Sequence, residues 1–386
     1  MLFETLRWVV VGGALVSFLY YVAAIYGARR FFAHGRDCEI SFMPPVSILK
    51  PVRGVDREAY VNFASFCEQD YPDYEILFGV SDATDPAIPI IGKLIEAFPH
   101  RSIRLLIGSG YAGSNDKVSN LSRLAAAAQH EILVVTDSDI RVGRDYLRAV
   151  AGPFQDAQVG AATCLYLART EGTIGGELEA IGLSADFSAG VIVAWLLNNV
   201  KFTLGATMAV TRKSLTAIGG FEAIADYHAD DFELGKRIAA KGWDVKLLRY
   251  KVSTVLPSQT LRDLIECRLR WVVGVRNSSP SGHMGLLFTH ALVWSVAAAL
   301  LQPSVICAAA FIGAYVVLRP AMAWTVGVWG MEDPVVREKW WLIPLWDALA
   351  FATWVASFAK KRIHWRGAEF YIRQGRLVPA SSRNQP

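Results

Sequence analysis

Four places in the chain combine residue types and spacing that can do chemistry. They are Asp82 in Val80-Ser81-Asp82, the Asp137-Ser138-Asp139 triplet, the Asp230-Asp231 pair, and Arg268-Leu269-Arg270-Trp271. The triplet sets two carboxylates two residues apart. That spacing suits a hard divalent cation that also grips substrate phosphates, with water completing the shell. Asp and Ser also cap helices; the strand-like run 131–136 that the triplet closes favours the metal reading. Asp82 follows a similar run and suits a hydrogen bond from a base or ribose, although Asp85-Pro86 beside it reads as a helix start. Lys117, just after the glycine-rich loop 108–116, is placed either to meet a diphosphate or to sit in solvent.

Asp230 and Asp231 precede Phe232-Glu233-Leu234-Gly235, where a helix begins and acids serve as cap and dipole partners. The sharper reading makes one of them a general base whose pKa is raised by shielding, with His228 as a supporting neighbour. Arg268 and Arg270 offer forks for phosphate, and Trp271 offers a flat face for a sugar or an aliphatic surface. Arg and Trp just before a membrane segment also anchor at headgroups. A diphosphate site, a base and phosphate-neutralising arginines, in that order, suggest sugar transfer from a nucleotide sugar to a hydroxyl.

Such residues need a scaffold, and residues 40–280 alternate strand-like and helix-like runs. Strands are expected at 46–49, 74–80, 103–107 and 131–136, with helices at 58–68, 88–98 and 117–128 and another starting near 261, ahead of the arginine motif. This alternation predicts an α/β fold with a mostly parallel sheet covered on both faces. In such sheets ligands bind beyond the carboxyl ends of the strands, where Asp82 and Asp137 both fall.

The ends of the chain are apolar. Of 386 residues, 53% are hydrophobic and 19% charged, and the mean hydropathy is +0.29, which points to a membrane protein with a soluble middle. A formal net charge of +4 is too small to imply a nucleic-acid partner and fits mild attraction to anionic headgroups. The five cysteines are scattered and form no CxxC pair, so neither a disulfide framework nor a zinc site is expected.

Residues 8–26 are uncharged and long enough to span a bilayer, and Arg29, Arg30 and Arg36 follow them. That basic excess predicts a retained anchor with the next segment in the cytoplasm. Further apolar stretches occupy 277–318, with Gln302-Pro303 as a turn or kink, then 320–331 and 340–358; they allow two or three more crossings before Lys360-Lys361-Arg362. The run 189–197 is too short to span and reads as a core or surface helix. The expected organisation is an anchor (1–36), a cytosolic catalytic domain (37–282) and C-terminal membrane helices with a tail (283–386). The expected location is the cell membrane, multi-pass, with the catalytic domain facing the cytoplasm.

In their order the clusters resemble the ceramide glucosyltransferase family, from Pro45 to about Arg276 and again at Trp365-Arg366-Gly367. The matching stretches include Val46-Ser47-Ile48-Leu49-Lys50-Pro51, Gln69-Asp70-Tyr71-Pro72, Lys117-Val118-Ser119-Asn120-Leu121, Asp139-Ile140-Arg141-Val142 and Gly219-Gly220-Phe221. The bacterial hopanoid-associated glycosyltransferases look similar over the same length. The resemblance implies a GT-A fold, a UDP-sugar donor, a divalent metal (Mg or Mn), a membrane lipid hydroxyl as acceptor (ceramide or hopanoid) and inversion at the sugar. It implies that Asp82 contacts the nucleotide, that Asp139 with Asp137 holds the metal, and that Asp231 is the base. It also implies that Arg270 and Trp271 close a (Q/R)xxRW motif. The first position of that motif is Cys267 here, a departure for which Arg268 is the candidate substitute. A processive polysaccharide synthase shares the RW motif but usually needs more spans, and an inactive lipid-binding scaffold would not need intact acidic clusters.

Overall fold

The apolar runs become strands that pair in the middle of a mixed sheet. The computed structural model describes residues 1–33, 42–108, 110, 113–198, 200–365 and 368–380. Arg36, Cys38, part of the glycine-rich loop, Arg366-Gly367 and the tail 381–386 lie outside the described residues. The chain divides into two interleaved units: a sheet unit (35–169, 200–257, 365–386) and a helical unit (1–34, 170–199, 258–364).

In the sheet unit, β1 (Val46–Val52) and β2 (Tyr74–Val80) are buried along their whole length, as strands covered on both faces must be. With β3 (Ser102–Ile107), β4 (Ile132–Val135), β5 (Ile140–Arg141), β6 (Val159–Arg169), β7 (Met208–Thr211) and β8 (Asp244–Val255) they form one sheet in the order β3-β2-β1-β4-β7-β6-β8-β5. β3, β2, β1 and β4 run parallel, as do β6 and β8; β7 is antiparallel to both neighbours, and β5 to β8. Successive residues point to opposite faces. Ile48, Ile76 and Val134 therefore join one apolar cluster with Phe63 and Ile91, while Leu49, Leu77 and Val135 join another with Val118, Leu121 and Leu234. The helices at Ala59–Cys67, Ala87–Ala97 and Asp116–Ala127 match the expected ones within a residue or two at each end.

Three short strands end the chain: β9 (Arg362–Trp365), β10 (Ala368–Arg373) and β11 (Arg376–Pro379). β10 and β11 form a hairpin in which Arg373 opposes Arg376. Both turn residues, Gln374 (φ 50°) and Gly375 (φ 79°), are left-handed, the requirement of a two-residue turn that follows the strand twist.

Among the described residues, the helical unit has four helices long and apolar enough to cross a membrane: Leu2–Phe32, Ile174–Leu196, Val305–Gly330 and Trp340–Ala359. Pro280–Thr289 and Ala291–Leu300 form a further, bent pair at 55°. The helix break between Leu300 and Val305 contains Gln302-Pro303, as its residue types suggest. The short run at 189–197 belongs to the longer helical stretch Ile174–Leu196, which is largely buried inside the unit. Leu178, Ile181, Leu264, Ile343 and Trp346 share its core. Arg319 and Asp347, which interrupt two apolar runs, answer each other: Arg319 is 1% exposed, its Nη2 is 2.8 Å from Asp347 Oδ1, and Tyr315 donates to Asp347 Oδ2 at 2.9 Å. Charges at such depth persist only when paired.

Candidate functional site

The acids collect at the carboxyl edge of the parallel strands. Asp137 lies two residues beyond Val135 at the end of β4, and Asp82 two beyond Val80 at the end of β2, with β1 between them. Two strand spacings put these ends about 10 Å apart. Asp82 is exposed; its Oδ1 accepts from the Thr84 amide and hydroxyl, both at 2.8 Å, and these bonds hold the carboxyl below its ordinary pKa. Asp85 accepts from the Ala87 amide where the next helix starts, as the Asp-Pro step suggested.

The triplet is held from below. Lys50, fully buried in β1, donates to Thr136 Oγ1 (2.9 Å) and to the Asp137 carbonyl (3.0 Å), and its ammonium lies 3.8 Å from the centre of the Phe66 ring. Burial pulls this lysine down to about 7. Thr254 of β8 donates to Asp139 Oδ2 at 2.7 Å, and the Ser138 hydroxyl donates to the Asp56 carboxylate. The Asp139 carboxyl is pushed up to about 6, first by burial and then by the charge of Asp137.

The base candidate approaches from a different segment. Asp231 stands in the first turn of the helix Asp230–Ala240. Its Oδ1 accepts from the Phe232 amide at 2.7 Å, and its Oδ2 from the Gly205 amide at 2.9 Å. Thr203 donates its hydroxyl to the Asp231 carbonyl at 2.7 Å. The loop 202–205 comes this close because position 235 is glycine: a Cβ there would meet the Thr203 nitrogen at 2.4 Å. Burial, and then the Asp230 charge, raise the Asp231 carboxyl to about 6.

Lys117 joins the two groups. Rather than standing in solvent, it is 8% exposed, 2.8 Å from Asp137 Oδ1 and 3.0 Å from Asp230 Oδ2. Gly205 gives a second measure of proximity: a methyl group added there would lie 3.2 Å from Asp137 Oδ2 and 3.4 Å from Asp231 Oδ2. The two carboxylate oxygens are therefore no farther apart than the sum of those distances. Position 205 must stay small, because any side chain enters the space between them.

The arginine motif belongs to the helical unit and lies within the helix Leu261–Ser278, not beyond it. The helix continues because its apolar face packs Leu264 and Val273 inward. Arg268 is committed to Glu179 (Nε to Oε2, 2.8 Å) and lies over the Trp271 and Trp346 rings at 4.9 and 4.7 Å. Arg270 reaches the Cys267 sulfur at 3.4 Å.

Among the described residues, no group of three or more His, Cys, Asp or Glu side chains is arranged to hold a metal by itself. The donor set at Asp137 and Asp139 nonetheless fits a hard cation that takes its remaining ligands from substrate phosphate and water. The burial and the repulsion from Asp137 that raise Asp139 are what such an ion would offset. Lys50, Thr254 and Gly205 were missed by sequence reasoning. A lysine inside a fully buried strand is the one local signal that could have pointed to Lys50.

Ceramide glucosyltransferase 3 of Caenorhabditis elegans is 24% identical over 266 residues, covering 68% of this chain and 58% of that protein. The ceramide glucosyltransferase of Komagataella phaffii is 32% identical over 141 residues, 33% of this chain and 28% of the relative. A beta-monoglucosyldiacylglycerol synthase of Synechocystis is 25% identical over 217 residues, 54% and 44% of the two chains. The chain thus spans only about half, or less, of the length of these curated relatives. Among solved structures, a mannosyltransferase of Pyrobaculum calidifontis in complex with GDP-Man and Mn2+ superposes with a TM-score of 0.51 at 20% identity. That match covers 92% of this chain and 99% of the other, which fixes the fold as GT-A. The family model for glycosyl transferase family 21 matches residues 9–378, nearly the whole chain, and to that family the chain belongs.

Proposed function

We propose that the protein moves a single hexose or N-acetylhexosamine from a UDP-sugar to the hydroxyl of a membrane lipid, ceramide or hopanoid, with inversion at the sugar. The observation that carries this reading is the cluster in which Lys117 ties Asp137 to Asp230 while Gly205 borders both Asp137 and Asp231. It brings the acids read as holding the metal and diphosphate beside a shielded carboxylate in one unit. The names of the relatives support a glycolipid product, and the mannosyltransferase solved with Mn2+ supports a divalent ion.

Asp231 takes the proton of the acceptor hydroxyl as the oxygen attacks the anomeric carbon and the bond to the diphosphate breaks on the opposite face. Asp137 and Asp139 would hold Mg or Mn, which when bound supplies positive charge against the departing diphosphate. Lys117 lies next to Asp137 and is the cation of the sheet unit best placed to meet a phosphate oxygen once a donor competes for it. Asp82 is assigned to the nucleotide. Arg270 and Trp271 keep the phosphate and acceptor role that the motif implies. Arg268, already paired with Glu179, serves instead to hold that helix.

The assay incubates purified protein with UDP-sugars and lipid extract and reads products by mass spectrometry. One sugar per lipid is expected; a polymer ladder would indicate a processive synthase, and no product from any pair would refute the reading. The same assay carries a pH prediction. A base must be ionised to accept a proton, and Asp231 is held at about 6. The expected kcat/KM is therefore level above that value and falls as pH drops through it. A profile flat across pH 6 removes Asp231 as the base.

A further inference from the structure

The turn that leads into the acid pair is gripped from two sides. On one side, Asn115 donates its backbone amide to the Ala225 carbonyl and its Nδ2 to the Tyr227 carbonyl, both at 2.8 Å. The Ser114 amide donates to Asp226 Oδ1 at 3.1 Å. Those residues open the helix that carries Lys117. On the other side lies the C-terminal hairpin. The His228 amide donates to the Gly375 carbonyl at 3.0 Å, and the Leu377 amide donates to the Asp226 carbonyl at 2.7 Å. Tyr227 thereby bridges to Arg376 like a residue of an added antiparallel strand.

Side chains reinforce the seam. Two guanidinium groups lie over the Tyr227 ring, Arg237 at 5.0 Å and Arg376 at 5.3 Å, and Arg376 Nε donates to the Tyr227 hydroxyl at 3.3 Å. The His228 ring meets Trp365 edge-on at 5.5 Å. Leu377 and Ile372 are the buried anchors of the hairpin. The hairpin belongs to a separate sheet and adds no strand to the eight-stranded one. Its two main-chain bonds instead fix Asp226 and His228, the latter only two residues before Asp230 and three before Asp231.

We propose that the C-terminal hairpin is a strap that positions Asp231, with Arg376 and Tyr227 as the positioning residues that couple it to the base. This rests on the reading of Asp231 as general base. A base displaced by about 1 Å loses on the order of a hundredfold in rate, so a segment that sets where the helix Asp230–Ala240 begins acts on turnover. The donor acids stand beyond the ends of β2 and β4, outside the turn 226–228 that the hairpin grips. The strap therefore governs kcat and leaves donor affinity nearly alone.

The test uses the full chain in detergent or nanodiscs. Arg376 is exposed, so Arg376→Ala should fold; kcat is expected to fall about tenfold with the KM for the UDP-sugar changed by less than about twofold. Arg376→Lys should recover most of the loss. Tyr227→Leu combined with Arg376→Ala should be no worse than the more severe single variant, because both break one coupling. Gly375→Val, which strains a residue at φ 79°, moves the carbonyl that accepts the His228 amide and should lower kcat further. Amide exchange across 225–233 should quicken in Arg376→Ala.

Wild-type kcat in both Arg376→Ala and Gly375→Val, additive effects in the double variant, or unchanged exchange would each overturn the strap. A parallel loss of melting temperature and donor affinity would overturn it too, in favour of a merely structural hairpin. The exchange measurement needs no turnover: a wild-type protein that transfers no sugar refutes the functional reading, whereas unaltered exchange in Arg376→Ala refutes the strap.

Discussion

Asp231→Asn lowers sugar transfer by about 10²–10⁴-fold, the contribution typical of a positioned general base, and leaves UDP-sugar binding close to wild type. The geometry explains both halves. Burial and the Asp230 charge keep the Asp231 carboxyl near 6, high enough for a useful base and low enough to be ionised at neutral pH. The amide of asparagine cannot take the proton. In the proposed reading, donor binding rests on other residues, Lys117 and the acids beyond the ends of β2 and β4. The substitution has one side effect: Asp231 accepts from two backbone amides, Phe232 and Gly205, and asparagine has one acceptor oxygen. One part-buried amide is then left without its partner, at a cost of about 1 kcal/mol. A thermal melt run beside the kinetics separates that cost from the chemical one. Donor affinity by calorimetry and turnover by product mass complete the comparison. A variant that binds donor, melts slightly lower and turns over like the wild type would take the base role away from Asp231.

The frame of this site was legible because it is local. β2 runs from Tyr74 to Val80 over a mostly apolar stretch that Glu75 interrupts, and Asp82 and Asp137 fall just beyond strand ends, where burial gives way. The pairing of groups was not legible. Lys117 reads equally as a solvated lysine until the helix Asp230–Ala240 brings Asp230 against it. Lys50 looks like an interruption of β1, yet its ammonium supports the backbone of Asp137 from beneath the sheet edge. Arg268 reads as a phosphate fork until Glu179, 89 positions away, takes it. Arg319 and Asp347 look like two separate flaws in apolar helices and are one ion pair. In each case the deciding partner lies far along the chain, and only the fold brings it within a few ångströms. The hairpin is the extreme example, since nothing in Arg376 or Gly375 announces Tyr227 and His228 as neighbours.

Asp139→Asn lowers transfer by about 10²–10³-fold at ordinary metal concentration, the loss expected when charge stabilisation of a departing group is weakened. Excess Mn2+ should recover part of it. Burial and then the charge of Asp137 raise the Asp139 carboxyl to about 6, and Thr254 fixes its Oδ2 at 2.7 Å. Asparagine keeps the shape and can still accept from Thr254 through its oxygen, so the fold should survive. What it loses is one of the two negative charges that Mg or Mn would neutralise. The defect therefore belongs in the metal dependence: the activating concentration rises, whereas the pH limb assigned to Asp231 stays near 6. Manganese titration followed by electron paramagnetic resonance reads the same loss without turnover. Chelation of the wild-type protein should abolish transfer, and restoring Mn2+ should return it. If Asp139→Asn leaves the manganese titration unchanged while activity collapses, Asp139 holds the turn and not the ion. The acids at the sheet edge would then be an electrostatic frame around Lys117, and the charge meeting the diphosphate would have to come from that lysine.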